Sequence, residues 1–192
     1  MTTEETATRG AATGDARAGE HPRTGPIPIT ETVRQRGLYF EEYRSGVVYE
    51  HRPGRTITEA DDVLFTTLSG NSQSLHLDEH FASGQPFGRR LVNSMFTLSL
   101  LVGLSVAQLT EGTIVANLGF EAVEFPAPVF HGDTVYASTV VVGKRLSQSR
   151  PGQGIVTLKH TARNQHGSVV AIATRSVLVW CEDAHRRHEN AE

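Results

Sequence analysis

Residues 91–109 carry no charged side chain, and that run constrains the fold more than any other part of the chain. An uncharged stretch of this length belongs either in a bilayer or in the interior of a folded domain. Asn93, Ser94, Thr97, Ser99, Ser105 and Gln108 dilute its hydrophobicity, and Gly103 weakens it further. The pattern therefore predicts one long buried helix, about 25 Å at ~1.5 Å per residue, not a membrane span. The rest of the domain has to cover that helix.

The second half of the sequence supplies the cover. Residues 114–125, 134–146, 154–164 and 168–180 are β-branched or alternate apolar with polar, the period of strands. Asn164-Gln165-His166-Gly167 reads as a hairpin turn, with Gly167 free to take positive φ. Pro126 and Pro128 break the first long strand, and Gly132-Asp133 turns into the next. Ahead of the long helix, residues 46–51 read as a strand and Pro53-Gly54 as a turn. Thr58-Glu59-Ala60-Asp61 predicts a capping box opening a helix to Leu68, with Val63, Leu64, Thr67 and Leu68 on one face and Gly70 closing it. The aromatic stretch 38–43 is expected to pack as a lid or edge. Short helices, one long helix and an antiparallel meander make an α+β fold. A sheet wrapped around one central helix is the hotdog arrangement. Its open edge strand predicts a homodimer, in which two edges pair across a two-fold axis.

Length and composition bound the rest. The 192 residues fit one domain, expected over 37–181, with a disordered N-terminal tail over 1–36 and a charged, frayed tail over 182–192. A net charge of −3 gives no basic footprint for nucleic acid. Cys181 is the single cysteine, so no internal disulfide or C-x-x-C site is possible and a reducing compartment is implied. The N-terminal residues lack an apolar segment for export, and Glu4, Glu5, Asp15 and Glu20 argue against a transit peptide. A cytoplasmic location is expected. No Gly-x-Gly-x-x-Gly loop follows a strand and no His/Cys/Glu cluster has metal spacing, so neither a cofactor nor a metal is expected.

The chemistry centres on Ser69-Gly70-Asn71-Ser72-Gln73-Ser74-Leu75-His76-Leu77-Asp78. His76 is suited to moving protons near neutral pH, or else it caps a turn. Its place ahead of the long helix suggests a site built against that helix's N-terminus. This segment resembles the Ser/Thr-Gly-Asp-x-Asn-Pro-Leu/Ile-His-x-Asp signature of the MaoC-like, (R)-specific enoyl-CoA hydratases. The similarity continues through Phe87-Gly88-Arg89-Arg90-Leu91-Val92-Asn93-Ser94-Met95, where Asn93-Ser94 stand in place of a usual His-Gly pair. It extends to Phe125-Pro126-Ala127-Pro128-Val129-Phe130-His131-Gly132-Asp133, and covers about residues 38–180. Within the family the chain looks most like the mesaconyl-CoA and itaconyl-CoA hydratases, also called methylmalyl-CoA dehydratases.

The resemblance implies syn hydration of a trans-2-enoyl thioester, or the reverse dehydration. The substrate would be carried on CoA or an acyl carrier protein. It implies that His76 handles the proton and that the N–H of Ser94 holds the thioester oxygen. Asn71 stands where the family has its catalytic Asp, and an amide has no useful basicity. Either His76 is both base and acid while Asn71 orients the water, or the protein binds or hydrolyses acyl thioesters. Arg89 and Arg90, with Asn93 beside them, are the candidate substrate-binding residues. The arginines would clasp a carboxylate or a CoA phosphate, or lie on a solvated loop. Asp78 is read as the cap of a short helix at 79–82, and His131 as an exposed turn residue. His51, His160 and His166 have no partner nearby in sequence.

Overall fold

The computed structural model describes residues 29–191. The expected disorder of the N-terminal tail falls mostly outside them, and residues 29–39 form no helix or strand. The elements below all lie in the unit Arg34–Glu192. Strand β1 (Val48–Thr56) is followed by helices α1 (Glu59–Leu68), α2 (Ser74–Leu77), α3 (Glu79–Ser83) and α4 (Ser94–Leu109). Strands β2 (Ile114–Glu124), β3 (Thr134–Leu146), β4 (Gln153–Arg163) and β5 (Val169–Trp180) follow, and then helix α5 (Glu182–Glu189). The strands form one antiparallel sheet in the order β1-β3-β4-β5-β2. Helix α4 packs on its inner face, against β1, β3, β4 and β5. This is the α+β sheet-around-a-helix arrangement expected from the sequence.

Local signals place most boundaries. Thr58 Oγ1 accepts from Asp61 N–H at 3.2 Å while an Asp61 carboxylate oxygen accepts from Thr58 N–H at 2.9 Å, the reciprocal cap that begins α1. Gly70 takes φ 69° just past the end of that helix, and Gly167 takes φ 79° in the β4–β5 turn, a conformation that costs glycine little. Asp78 accepts from Phe81 N–H at 2.9 Å and caps α3.

Five expectations about the fold are corrected. Pro53-Gly54 is not a turn: β1 runs through it, with its register shifting between His51 and Arg55. β1 is an edge strand, where a proline's missing N–H deprives no neighbour. On α1 the buried residues are Asp62 and Thr66, while Leu64 and Leu68 are 62% and 79% exposed. The aromatic stretch is core, not lid: Tyr43 is buried among Leu109, Val141 and Val156. The C-terminal segment forms α5 instead of fraying, with His185 and His188 stacked on Trp180. Helix α4 also departs from full burial. Thr97, Leu101, Ser105 and Leu109 form its buried stripe, while Ser94, Met95, Ser99 and Gly103 are exposed, because one sheet covers only one side of a helix.

The inward face of the sheet is divided by a polar belt. Val135, Ala137, Ala162, Ala171 and Ala173 belong to one core cluster, and Val141, Val156, Leu158, Val177 and Val179 to the other. Between them, on the same inward rows, lie Thr139, His160 and Arg175, all buried. Arg175 Nε donates to His160 Nε2 at 3.0 Å. His160 Nδ1 is therefore the protonated nitrogen, donating to Thr139 Oγ1 at 2.7 Å. The Thr139 hydroxyl then donates to His51 Nε2 at 2.7 Å, and His51 Nδ1 donates to Gln108 Oε1 at 2.7 Å. The partners that His51 and His160 lack in sequence are thus supplied across the sheet. Burial pushes the His160 pKa down to about 3 and lowers that of His51 as well.

Candidate active site

Past Gly70 the Asn71 N–H donates to Thr66 O at 3.1 Å, and Asn71 Oδ1 accepts from Gln73 N–H at 3.0 Å. This side-chain turn swings the chain into α2, which carries His76. His76 Nδ1 lies 2.8 Å from Leu91 O. A carbonyl only accepts, so Nδ1 carries the hydrogen, and Nε2 is the basic nitrogen of the neutral ring. The same bond ties α2 to the segment that leads into α4.

That segment is held by three elements in turn. Leu91 N–H donates to Leu75 O at 3.1 Å, Val92 N–H to Val129 O at 2.9 Å, and Asn93 N–H to Asp62 Oδ1 at 2.8 Å. Asn93 is the N-cap of α4: its Oδ1 accepts from Met95 N–H at 2.9 Å and its Nδ2 donates to Thr66 Oγ1 at 3.2 Å. Ser94 is the first residue of the helix, a position whose N–H has no intrahelical acceptor and sits at the positive end of the helix dipole. His76 and Ser94 both line a cavity of about 420 Å³. Leu75, Phe87, Val92, Val129 and the 125–128 loop give it apolar walls. His76 and the first residue of α4 thus border one cavity.

The other candidate residues lie elsewhere. Asn71 is not among the residues lining the cavity, and its side-chain oxygen serves the turn. Asn93 is buried and committed to capping. Arg90 is clamped by Glu59 at 2.6 Å and Glu79 at 2.8 Å; those hydrogen bonds raise its pKa. The Arg89 guanidinium lies 3.6 Å from the centre of the Phe130 ring, and Phe130 meets the cavity residue Phe87 edge-on at 6.5 Å.

Sequence reasoning passed over Asp62. It is 0% exposed, and its second carboxylate oxygen lies 2.9 Å from His131 Nε2. His131, expected to be exposed, keeps only 18% of its side-chain surface. Acids in a helix's first turn are ordinary dipole partners, so the sequence offered only one hint. Asp62 and Thr66 stand four apart, on one face. Among the described residues no group of three or more His, Cys, Asp or Glu side chains is placed to hold a metal ion.

A sheet wrapped on one helix, with His76 and the start of that helix bordering one cavity, is the hotdog arrangement. The chain belongs to the MaoC-like domain family, which matches residues 42–164. It is 33% identical over 148 residues to a β-methylmalyl-CoA dehydratase from Chloroflexus aurantiacus, covering 77% of this chain and 41% of that one. To a mesaconyl-CoA hydratase from Cereibacter sphaeroides it is 29% identical, covering 77% and 42%. The chain therefore spans about two-fifths of the length of these relatives. Among solved structures it is similar to a Mycobacterium tuberculosis protein with a double hotdog fold, at TM-score 0.69 and 26% identity, covering 78% of this chain and 46% of the other.

Proposed function

We propose that the protein hydrates 2-enoyl thioesters, or dehydrates the corresponding 3-hydroxyacyl thioesters. The observation that carries the reading is that His76 and Ser94, the first residue of α4, line one cavity. In the hydration direction His76 Nε2 takes a proton from water as the hydroxyl adds to Cβ. The thioester oxygen gains enolate charge and is met by the Ser94 N–H and the positive end of α4. The imidazolium then returns a proton to Cα, completing addition of H and OH across the double bond. Asn71, engaged in its own turn, leaves the proton work to His76.

The relatives' names support a CoA thioester with a short, branched or dicarboxylic acyl group, such as mesaconyl- or itaconyl-CoA. The apolar walls suit the branch. A terminal carboxylate needs a cation, and Arg90 is already neutralised by Glu59 and Glu79. Arg89, stacked on Phe130, is the cation we assign to it. The working form we propose is a homodimer joined along β2, in the cytoplasm. Purified protein assayed with crotonyl-, mesaconyl- and itaconyl-CoA tests the reading. Loss of enoyl absorbance without release of thiol is the expected result. Thiol release would make the protein a thioesterase, and binding without turnover would make it an acyl-thioester carrier.

A further inference from the structure

The segment that aims the Ser94 N–H is anchored by three consecutive backbone donors, Leu91, Val92 and Asn93. Two of them end on backbone carbonyls. The third ends on Asp62, a carboxylate with no solvent exposure. A buried carboxylate is costly unless its oxygens are hydrogen-bonded, and a helix interior has cheaper ways to pack. Both oxygens of Asp62 are used: Oδ1 by the Asn93 N–H and Oδ2 by His131 Nε2. His131 stands two residues beyond Val129, whose carbonyl holds the Val92 N–H. The cavity wall is formed from the same loop, at 125–129. Asp62 and His131 therefore join α1, the start of α4 and the cavity loop in one closed set of bonds.

We propose that Asp62 and His131 are a positioning pair for the reaction. Through the Asn93 N–H, Asp62 fixes where the first turn of α4 begins and so where the Ser94 donor points. Through His131 it holds the loop that walls the acyl chain. The pair touches no reacting atom. Its kinetic consequence rests on the hydratase reading above, whereas its structural consequence does not.

Two measurements separate these. In the first, Asp62→Ala leaves the Asn93 N–H without its acceptor, and amide exchange at Asn93 and Met95 should become at least roughly tenfold faster. Asp62→Asn should keep slow exchange, because its amide oxygen still accepts from Asn93 and its amide N–H donates to His131. In the second, Asp62→Ala should lower kcat on the best enoyl thioester roughly 10- to 100-fold, as misaimed catalytic groups do, with KM little changed. Asp62→Asn should restore most of it. His131→Ala should lower kcat less, and should add nothing in an Asp62→Ala background, as expected of coupled neighbours. If Asp62→Ala does not fold, exchange and kcat in Asp62→Asn and His131→Ala decide the matter. In that case His131→Ala must speed exchange at Asn93 and lower kcat, while Asp62→Asn must not. Unchanged exchange at Asn93 and Met95, or losses that simply add in the double variant, would overturn the pairing. Wild-type protein that turns over no thioester would sink the hydratase reading instead, and the exchange arm would still decide the inference.

Discussion

His76 differs from the other histidines of the core in what its two nitrogens do. His51 and His160 each have both ring nitrogens occupied by side-chain partners. His76 has Nδ1 held by Leu91 O, while its ring lines the cavity. Only the second arrangement leaves a nitrogen to exchange protons with a substrate. His76→Ala should therefore reduce turnover by roughly 10²–10⁴, the usual contribution of a general acid–base group, with the thermal midpoint little changed. A variant whose activity per folded molecule equals that of wild type would reduce His76 to a tie between α2 and Leu91. Asn71 gives a contrasting expectation. Its oxygen already accepts from Gln73 N–H, and a carboxylate can keep that bond. Asn71→Asp should fold normally and leave hydration of crotonyl-CoA near the wild-type rate, because residue 71 does not line the cavity; a raised rate would give the residue a part in the chemistry. Unaltered rates in both Asn71→Asp and Asn71→Ala would confine Asn71 to its turn.

In the proposed reaction helix α4 acts through its first turn. Its 16 residues run for about 24 Å, but the aligned peptide dipoles act mainly at the end, where Ser94 sits. Proline is tolerated as the first residue of a helix because that N–H has no intrahelical acceptor. Asn93, at φ −56° and ψ 126°, already has the extended conformation that a following proline requires. Ser94→Pro should thus preserve the helix and delete the donor. Turnover is expected to fall roughly 10²–10³-fold, the loss typical of removing one oxyanion donor. Ser94→Ala keeps the N–H and serves as the control. Equal activity in Ser94→Pro and Ser94→Ala would show that the thioester oxygen is held elsewhere.

Across the whole molecule the buried belt sets the response to acid. His160 and His51 are neutral in the fold, and burial lowers both pKa values, that of His160 to about 3. The unfolded chain binds protons near the ordinary histidine value, around 6.5. The His160 contribution is therefore complete above about pH 6.5 and declines as pH falls toward 3, on the order of 1 kcal/mol per pH unit; that of His51 declines in the same direction. Asp61, Glu42 and Glu59, whose pKa values are lowered by hydrogen bonds from Thr58, Arg36 and Arg90 respectively, act only at lower pH. Urea midpoints should fall between pH 7 and 5 in wild type and fall less in His160→Gln. A flat wild-type profile would remove the belt from the acid response. Assembly is read at the same scale. Strand β2 is a sheet edge on which Leu118, Phe120 and Val123 are exposed, and edges of that kind recruit another strand. Light scattering should show a dimer at micromolar concentration, and Leu118→Lys should shift it toward monomer. A wild-type monomer at that concentration would count against pairing along β2.

The sequence by itself determined the elements and their class. Period-two runs, Pro126 and Pro128, and the Asn164–Gly167 turn located β2 to β5 to within a residue or two, whereas β1 runs five residues past its expected end. The uncharged run located α4, and Thr58 and Gly70 bounded α1. These signals are local, and a chain of this composition has few other ways to satisfy its backbone. The motif likewise singled out His76 and Ser94, which the fold brings to one cavity. The tertiary structure alone decided which polar residues are buried. Asp62 and Thr66 face inward while Leu64 and Leu68 face out, because the inward positions must supply hydrogen bonds to the start of α4. His160 reads as an ordinary alternating strand residue until Thr139 and Arg175 arrive from the neighbouring strands. Arg90 reads as a substrate cation until Glu59 and Glu79, 31 and 11 residues away in sequence, close on it. Hydrophobic period is written along the chain; the partner of a buried polar group is set by which strands and helices come to lie side by side.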